Sequence, residues 1–547
     1  MPSGTEHFMD TVLRSLDLYA TRPLIKEVVG PVEARTCNII TYQAYAHDLS
    51  KAALFWWQTL SKLGVAVGDV VGLWITGSQY PDLVHLYAIS RAGFVPQVFS
   101  QKYTEQGLAV VRDLLTACEA KVLLYDPVFE GIVQSPSLTL ACQRIPPLVS
   151  LTYVDAALPS LPDVKPTDTA MIFHTSGTTS GKPKPVPESH RWFRFQAIQW
   201  KGICQAAPFD GQDVYNNIGS YGHVGSATMI SHLGASGQCM VRLASNTLDR
   251  EQILELTRLA GLNNLFIYAP WLSKLVNLAK TDPEILTVLR SMRQISYTGA
   301  SLNPEDEQWI IESAIPATCV YATTEIALCL VSDLDRVKMI PAMRLVPGVQ
   351  CQFIPTNSLT HELATNAHGQ LTGNQLYDFF IPESAPNCPH PSIRNRPDGH
   401  ISGDLFEEVS PGYYVFRGRN DDWIRTGPTC AFCDTKSIED NCMLTCADLV
   451  KNCTVVGHYK PALVLFIEPA LALSSESDLA TFKMEILKQT AAFNARLFSH
   501  ERITDARRIV VVPPGSLPRT TEKGNVRRKA VEEDYASLLQ DIYTSKA

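Results

Sequence analysis

His174-Thr175-Ser176-Gly177-Thr178-Thr179-Ser180-Gly181-Lys182-Pro183-Lys184-Pro185-Val186 is the run from which the rest of the chain is read. Before it, Asp168-Thr169-Ala170-Met171-Ile172-Phe173 has the apolar core of a buried strand. The run holds five hydroxyl side chains, two glycines and two lysines. Glycines let backbone N–H groups approach an anion closely, hydroxyls add donors, and lysines add charge. That combination suits a polyphosphate. It is not a Walker loop, because three residues separate Gly177 from Gly181 and Lys182 is followed by Pro183. Pro183, Pro185 and Pro187 exclude an ordinary helix at this point, so the predicted loop has no helix dipole behind it. Taken alone, the run also reads as a polar linker.

The run resembles the Ser/Thr/Gly-rich loop of the adenylate-forming superfamily, T-S-G-[ST]-T-G-x-P-K-G, shared by acyl-CoA synthetases, luciferases and nonribosomal peptide synthetase adenylation domains. It differs by one extra residue around Ser180 and by Pro185 in place of the last glycine. Its Lys-Pro ending is similar to fungal synthetase-like adenylation domains. The resemblance implies an α/β fold: a large N-terminal domain of layered α/β subdomains with a small β-barrel, and a small mobile α+β C-terminal domain. It also implies that Thr175, Ser176, Gly177, Thr178, Thr179 and Lys184 hold the phosphates of ATP.

At 547 residues the chain is too long for one core, so at least two domains are expected. A net charge of −8 argues against a nucleic-acid partner. No apolar run is long enough to span a bilayer. The fourteen cysteines are scattered and no signal peptide precedes them, which points to free thiols in the cytoplasm. Cys430, Cys433, Cys442 and Cys446 stand closer together than in common zinc modules and read as ordinary thiols.

Along the chain, a helix is predicted from about Thr41 to Gly64, with Leu49, Ala52, Ala53, Trp56 and Leu60 on one face. Strands are predicted at 69–75, 94–98 and 121–125, with a helix over 80–92. The alternation implies a parallel sheet covered by helices.

Beyond the phosphate run, further segments continue the resemblance in order. Gly219-Ser220-Tyr221-Gly222-His223-Val224-Gly225 makes His223 an acyl-pocket candidate, with Tyr268-Ala269-Pro270-Trp271 as another side. Tyr297-Thr298-Gly299-Ala300-Ser301 resembles the family's G-G-A-x-L turn beside adenine. Val320-Tyr321-Ala322-Thr323-Thr324-Glu325 resembles Y-G-x-T-E: Tyr321 for a base, Ala322 beside it, Thr324 for the α-phosphate, and Glu325 as ligand to Mg²⁺, which prefers oxygen. In His400-Ile401-Ser402-Gly403-Asp404, similar to [ST]-G-D, Asp404 is the expected acceptor for the ribose diol. Phe416-Arg417-Gly418-Arg419-Asn420-Asp421-Asp422 resembles F-x-G-R-x-D-D and assigns Arg419 to ribose or α-phosphate and Asp421 to a hinge. The boundary is set there, giving domains 1–420 and 421–547.

The tail is expected to hold strands near 453–457, 462–467 and 508–512, and helices over 436–444, 479–498 and 531–543. Leu517-Pro518-Arg519-Thr520-Thr521-Glu522-Lys523-Gly524 resembles the family's closing motif, with Lys523 as the catalytic lysine and Lys529 as the alternative.

Together these segments imply an AMP-forming carboxylate ligase using ATP and Mg²⁺. Between Asp213 and Asp249 there is no Asp or Glu, so a substrate ammonium would lack a counter-charge there. The expected substrate is a small carboxylic acid without a free α-amino group, aryl or alkyl/keto. The acceptor is the thiol of CoA or of a carrier-protein phosphopantetheine. The chain reads either as a free-standing ligase or as the first domain of a longer synthetase. Ser545-Lys546-Ala547 only weakly resembles a peroxisomal address. The extra residue at Ser180, Ala322 and the Lys523-Gly524 order keep a second reading open: a degenerate nucleotide- or ligand-binding protein of the same fold.

Overall fold

The computed structural model describes the chain apart from residues 1–5, 32–33, 135–137, 152–156, 176–182, 243–247, 300, 303, 357–363, 366–370, 373–374, 420–422, 427–430, 472, 474, 496, 498, 520–525 and 545–547. The predicted first helix runs over Tyr42–Lys62, and its Thr41 side chain accepts the Ala44 N–H at 3.1 Å. Tyr45, Leu49, Ala52, Ala53, Trp56 and Leu60 recur at three- and four-residue steps and are fully buried. The strands expected near 69–75, 94–98 and 121–125 are Val70–Trp74, Val95–Phe99 and Val122–Tyr125, mutually parallel in one six-stranded sheet.

That sheet ends in the hairpin that carries the phosphate run. Thr169–Thr175 lies parallel to Val95–Phe99, and Lys184–Ser189 returns antiparallel to it, with Thr175 opposite Lys184. The returning strand is the sheet's edge, the position that tolerates Pro185 and Pro187. The strand leads into a helix that starts at His190, where Ser189 Oγ accepts the Trp192 N–H. The prolines therefore do what the sequence suggests: they send the chain back along the sheet instead of into a helix.

A nine-stranded sheet lies beside it, parallel through its middle and antiparallel at both ends. Two loops of the first sheet meet one loop of the second. A Cβ on Gly77 would fall 2.1 Å from Ser220 Oγ, and one on Gly222 would fall 2.5 Å from Ser100 Cβ. Only glycine permits so close an approach. Asp82 Oδ2 shapes the first loop by accepting from the Thr76 hydroxyl and from the N–H groups of Gly77, Ser78 and Gln79.

The small β element of the large region is a four-stranded antiparallel sheet, Gln352–Pro355, Leu376–Pro382, Gly399–Ser410 and Tyr413–Arg419. From Ile424 onward the chain packs its own apolar clusters around a three-stranded sheet, Val450–Val456, Val464–Pro469 and Ile509–Val511. Cys433, Cys442 and Cys446 are buried core thiols there, and Cys430 lies outside the described residues. The helix expected over 531–543 is two helices, Arg528–Asp534 and Ala536–Thr544. Tyr535 breaks it at φ −106° and ψ 20°, with its ring 5.0 Å from that of Phe466. The helix expected over 479–498 is Glu476–Asn494, capped by Ser475. Among the described residues no helix is long and apolar enough to cross a membrane.

In the large sheet, Val214–Asn216 and Asn264–Tyr268 pair at a single position. The Asn216 amide closes the gap. It donates to the Phe266 carbonyl at 2.8 Å and accepts the Phe266 N–H at 2.9 Å. Asn216→Ala is expected to destabilise the protein by about 2–4 kcal/mol, because it orphans both backbone groups; the denaturation midpoint in urea checks this.

Candidate active site

Thr175 and Lys184 face each other at the open end of the loop hairpin. Ser176, Gly177, Thr178 and Thr179 lie outside the described residues. The root of the hairpin is held by a residue to which the sequence assigned no role. His174 Nδ1 donates to the Val98 carbonyl at 3.0 Å, so the neutral ring's Nε2 accepts from the Gln97 amide at 3.1 Å. Gln97 also donates to the Leu114 carbonyl, and the Phe99 ring lies 4.6 Å from the imidazole. Burial holds the His174 imidazole down at about 3.

A second group of residues forms a wall. His223 caps a short helix, its Nδ1 accepting the Gly225 N–H at 3.1 Å and lying 3.4 Å from the Tyr268 hydroxyl. The Tyr268 ring meets Trp271 edge-on, and burial pushes its phenol up to about 12. Thr298 pairs with Tyr268 across parallel strands, which brings Gly299 beside the ring. Gly299 has φ +85°, and a Cβ there would lie 2.8 Å from Tyr268 Cδ1. Ser301 is exposed beside it, and Ala300 is outside the described residues.

The third group is the most tightly bound. Tyr321 lies two residues before the end of a strand of the large sheet, Ala317–Thr323; Asp404 and Arg419 face each other on the four-stranded one. The Tyr321 hydroxyl donates to Asp404 Oδ2 at 2.5 Å, and Arg419 Nη1 lies 3.3 Å from Asp404 Oδ1. Ser402 Oγ accepts the Asp404 N–H at 3.1 Å. Gly403, at φ +77°, leaves room for the guanidinium, since a Cβ there would sit 3.1 Å from Arg419 Nη2. Tyr321 packs among Phe379, Phe406 and Phe416. Burial, and then the Asp404 charge, hold its phenol well above the ordinary range.

Ala322 follows Tyr321 in that strand, and Thr324 and Glu325 form the half-buried turn beyond it. Two groups near Glu325 escaped the sequence reading. Glu188, on the returning strand of the loop hairpin, is fully buried with neither oxygen hydrogen-bonded. Burial, reinforced by Glu325, holds its carboxyl well above the usual range. Burial lowers the His400 imidazole, partly opposed by Glu325. The usable signal for Glu188 was its even spacing from Val186, which places both on the inward face of a strand.

Asp421 and Lys523 lie outside the described residues. The residues flanking Lys523 are a stem: Arg519 and Val526 bridge, and Arg519 pairs with the fully buried Glu468. Lys529 is exposed on the helix beyond. A cavity of about 940 Å³ lies elsewhere, along the outer side of the edge strand; of the assigned residues it touches Lys184. We place the site by the converging side chains, because the cavity brings together no such set.

The AMP-binding enzyme family matches residues 26–372, and its C-terminal domain matches 433–547. The AMP-binding domain-containing enzyme iboA of Amanita muscaria (strain Koide BX008) is 34% identical, over 88% of this chain and 92% of its own length. The adenylate-forming reductase stbB of Stachybotrys bisbyi is 25% identical over 86% of this chain, which spans 42% of that protein. ATP-bound MatB from Rhodopseudomonas palustris superposes with a TM-score of 0.73 at 18% identity, over 99% of this chain and 100% of that one. O-succinylbenzoate coenzyme A synthetase MenE from Bacillus subtilis, in complex with ATP and magnesium ion, gives 0.69 at 14% identity, over 95% and 99%. At such identities the likeness carries the fold alone.

Two outcomes are expected from this geometry. Between pH 6.5 and 3 the unfolded chain binds a proton that folded His174 refuses. Its contribution to stability is therefore complete above 6.5 and falls as the pH drops towards 3. His174→Phe should flatten the acid side of the stability profile by about 2–4 kcal/mol, discounted for the ring's partial exposure; unfolding midpoints over a pH series test this. Gly299→Ala must strain its backbone and displace Tyr268, at about 1–3 kcal/mol, read as a lower thermal midpoint and an altered near-ultraviolet aromatic signal.

Proposed function

The chain belongs to the AMP-binding enzyme family, and we propose that it activates a carboxylic acid with ATP, forming an acyl-adenylate and releasing pyrophosphate. The observation that carries this reading is the junction of Tyr321, Asp404 and Arg419, residues far apart in the chain that meet at one carboxylate. A carboxylate offers about four lone-pair positions. The phenol and the guanidinium each engage one oxygen, and the paired oxygens of one carboxylate match the two hydroxyls of a vicinal ribose diol.

In the proposed step, a substrate carboxylate oxygen bonds to the α-phosphorus while the bond to the β-phosphate breaks, and pyrophosphate carries away the electron pair. Thr175, Ser176, Thr178, Thr179 and Lys184 hold the β- and γ-phosphates, Thr324 the α-phosphate, and Lys523 bridges the carboxylate and α-phosphate. Positioning and positive charge supply most of such catalysis. Mg²⁺ suits the hard oxygen donor of Glu325 and would neutralise phosphate charge when bound. His223, Tyr268 and Gly299 form the acyl-facing wall.

We further propose division into 1–420 and 421–547, supported by separate apolar clusters from Ile424 onward. The substrate proposed is an acid without a free α-amino group, supported by the absence of Asp and Glu between Asp213 and Asp249. The acyl group passes to a thiol, on CoA or on carrier-bound phosphopantetheine.

Pyrophosphate release with MgATP is expected for a member of an aryl, alkyl and keto acid panel, and not for α-amino acids run beside it. Lys523→Ala should lower that rate by on the order of 10²–10³ while ATP still binds. Unchanged turnover would move the role to Lys529. ATP binding with no release for any acid would favour the degenerate binding protein.

A further inference from the structure

Glu188 has no place in the scheme above, yet its surroundings are unusual. It stands opposite Met171 in the loop hairpin, on the inward face with Val186. Among the described residues it is the one carboxyl group with both oxygens sealed from solvent and neither hydrogen-bonded. Such a group is unfavourable to bury whether charged or neutral, and native proteins keep few of them. Its nearby charged group is Glu325, carried on the turn of a different hairpin.

Two carboxyl groups brought together by separate hairpins repel when ionised. A hard divalent cation reverses the sign of that interaction. Mg²⁺ is usually held by one or two carboxylates together with substrate phosphates and water, not by an all-protein cage. Among the described residues no three His, Cys, Asp or Glu side chains converge on a metal position. Glu188 also lies on the strand that returns from the phosphate run, four residues after Lys184.

We propose that Glu188 is the second carboxylate of the divalent-cation seat, acting with Glu325 across the two hairpins. The proposal rests on the reading of Glu325 as the cation ligand.

The test uses the full chain, a non-hydrolysable ATP analogue and Mn²⁺ as the probe, with bound metal counted by electron paramagnetic resonance. Glu188→Gln and Glu188→Met are both made, so that one folded variant suffices, and Glu325→Gln is the reference. The Glu188 variants are expected to bind Mn²⁺ about ten- to hundredfold more weakly, with no fall in thermal midpoint and no change in metal-free nucleotide binding. Unchanged Mn²⁺ affinity in them, beside a loss in Glu325→Gln, would overturn the proposal and leave Glu188 a structural acid. Unchanged affinity in Glu325→Gln as well would remove the cation assignment itself. A fall in thermal midpoint matching the loss of Mn²⁺ would also count against the proposal, since it assigns Glu188 no stabilising role in the free protein.

Discussion

The buried carboxylate of Asp404 is the constraint on which the geometry of the site depends. It is 4% exposed and held between a phenol and a guanidinium. A carboxylate at that depth needs charge-assisted partners, and each partner comes from a different strand. Satisfying one group therefore docks the four-stranded sheet onto the end of the nine-stranded one. The aromatic packing of Tyr321 with Phe379, Phe406 and Phe416 fills the junction around the polar contact. What would otherwise be a loose seam between sheets becomes a fixed corner with one carboxylate at its centre.

A second constraint is steric. The loops after two strands of the first sheet touch the 219–226 loop through Gly77 and Gly222, at distances no side chain would tolerate. This contact sets how far the loop hairpin stands from the His223–Tyr268–Gly299 wall. The prolines at 185 and 187 complete the arrangement by keeping the returning strand at the edge. The hairpin's inner face then turns Glu188 towards the core, while Lys184 stays exposed at its open end.

Charge balance links these parts. The chain as a whole is acidic, with a net charge of −8, and two carboxyl groups stand near one another beside a loop suited to phosphates. An anionic substrate would be repelled there unless lysines and a divalent cation offset the field. The lysines of the loop run and a metal at Glu325 fit that requirement. The apolar and aromatic wall at Tyr268 and Trp271 carries no charge and suits the uncharged part of an acid.

Much of this was legible in the residues. The helix from Tyr42, three parallel strands and the extended Lys184–Ser189 return follow from periodicity and from proline, which act over a few neighbouring residues. So does the alphabet of the site, since hydroxyls, lysines and carboxylates advertise phosphate and cation chemistry by type. What tertiary structure alone decided is which of them meet. Nothing local in Tyr321, Asp404 or Arg419 says that they share a bond, because the contact spans 83 residues for the first pair. Nor does a lone Glu188 among prolines reveal that it is buried without a partner, or that His174 is locked neutral against Val98 and Gln97. Spacing along the chain encodes one face of one element; burial and pairing arise only when separate elements pack and water is excluded from the space between them.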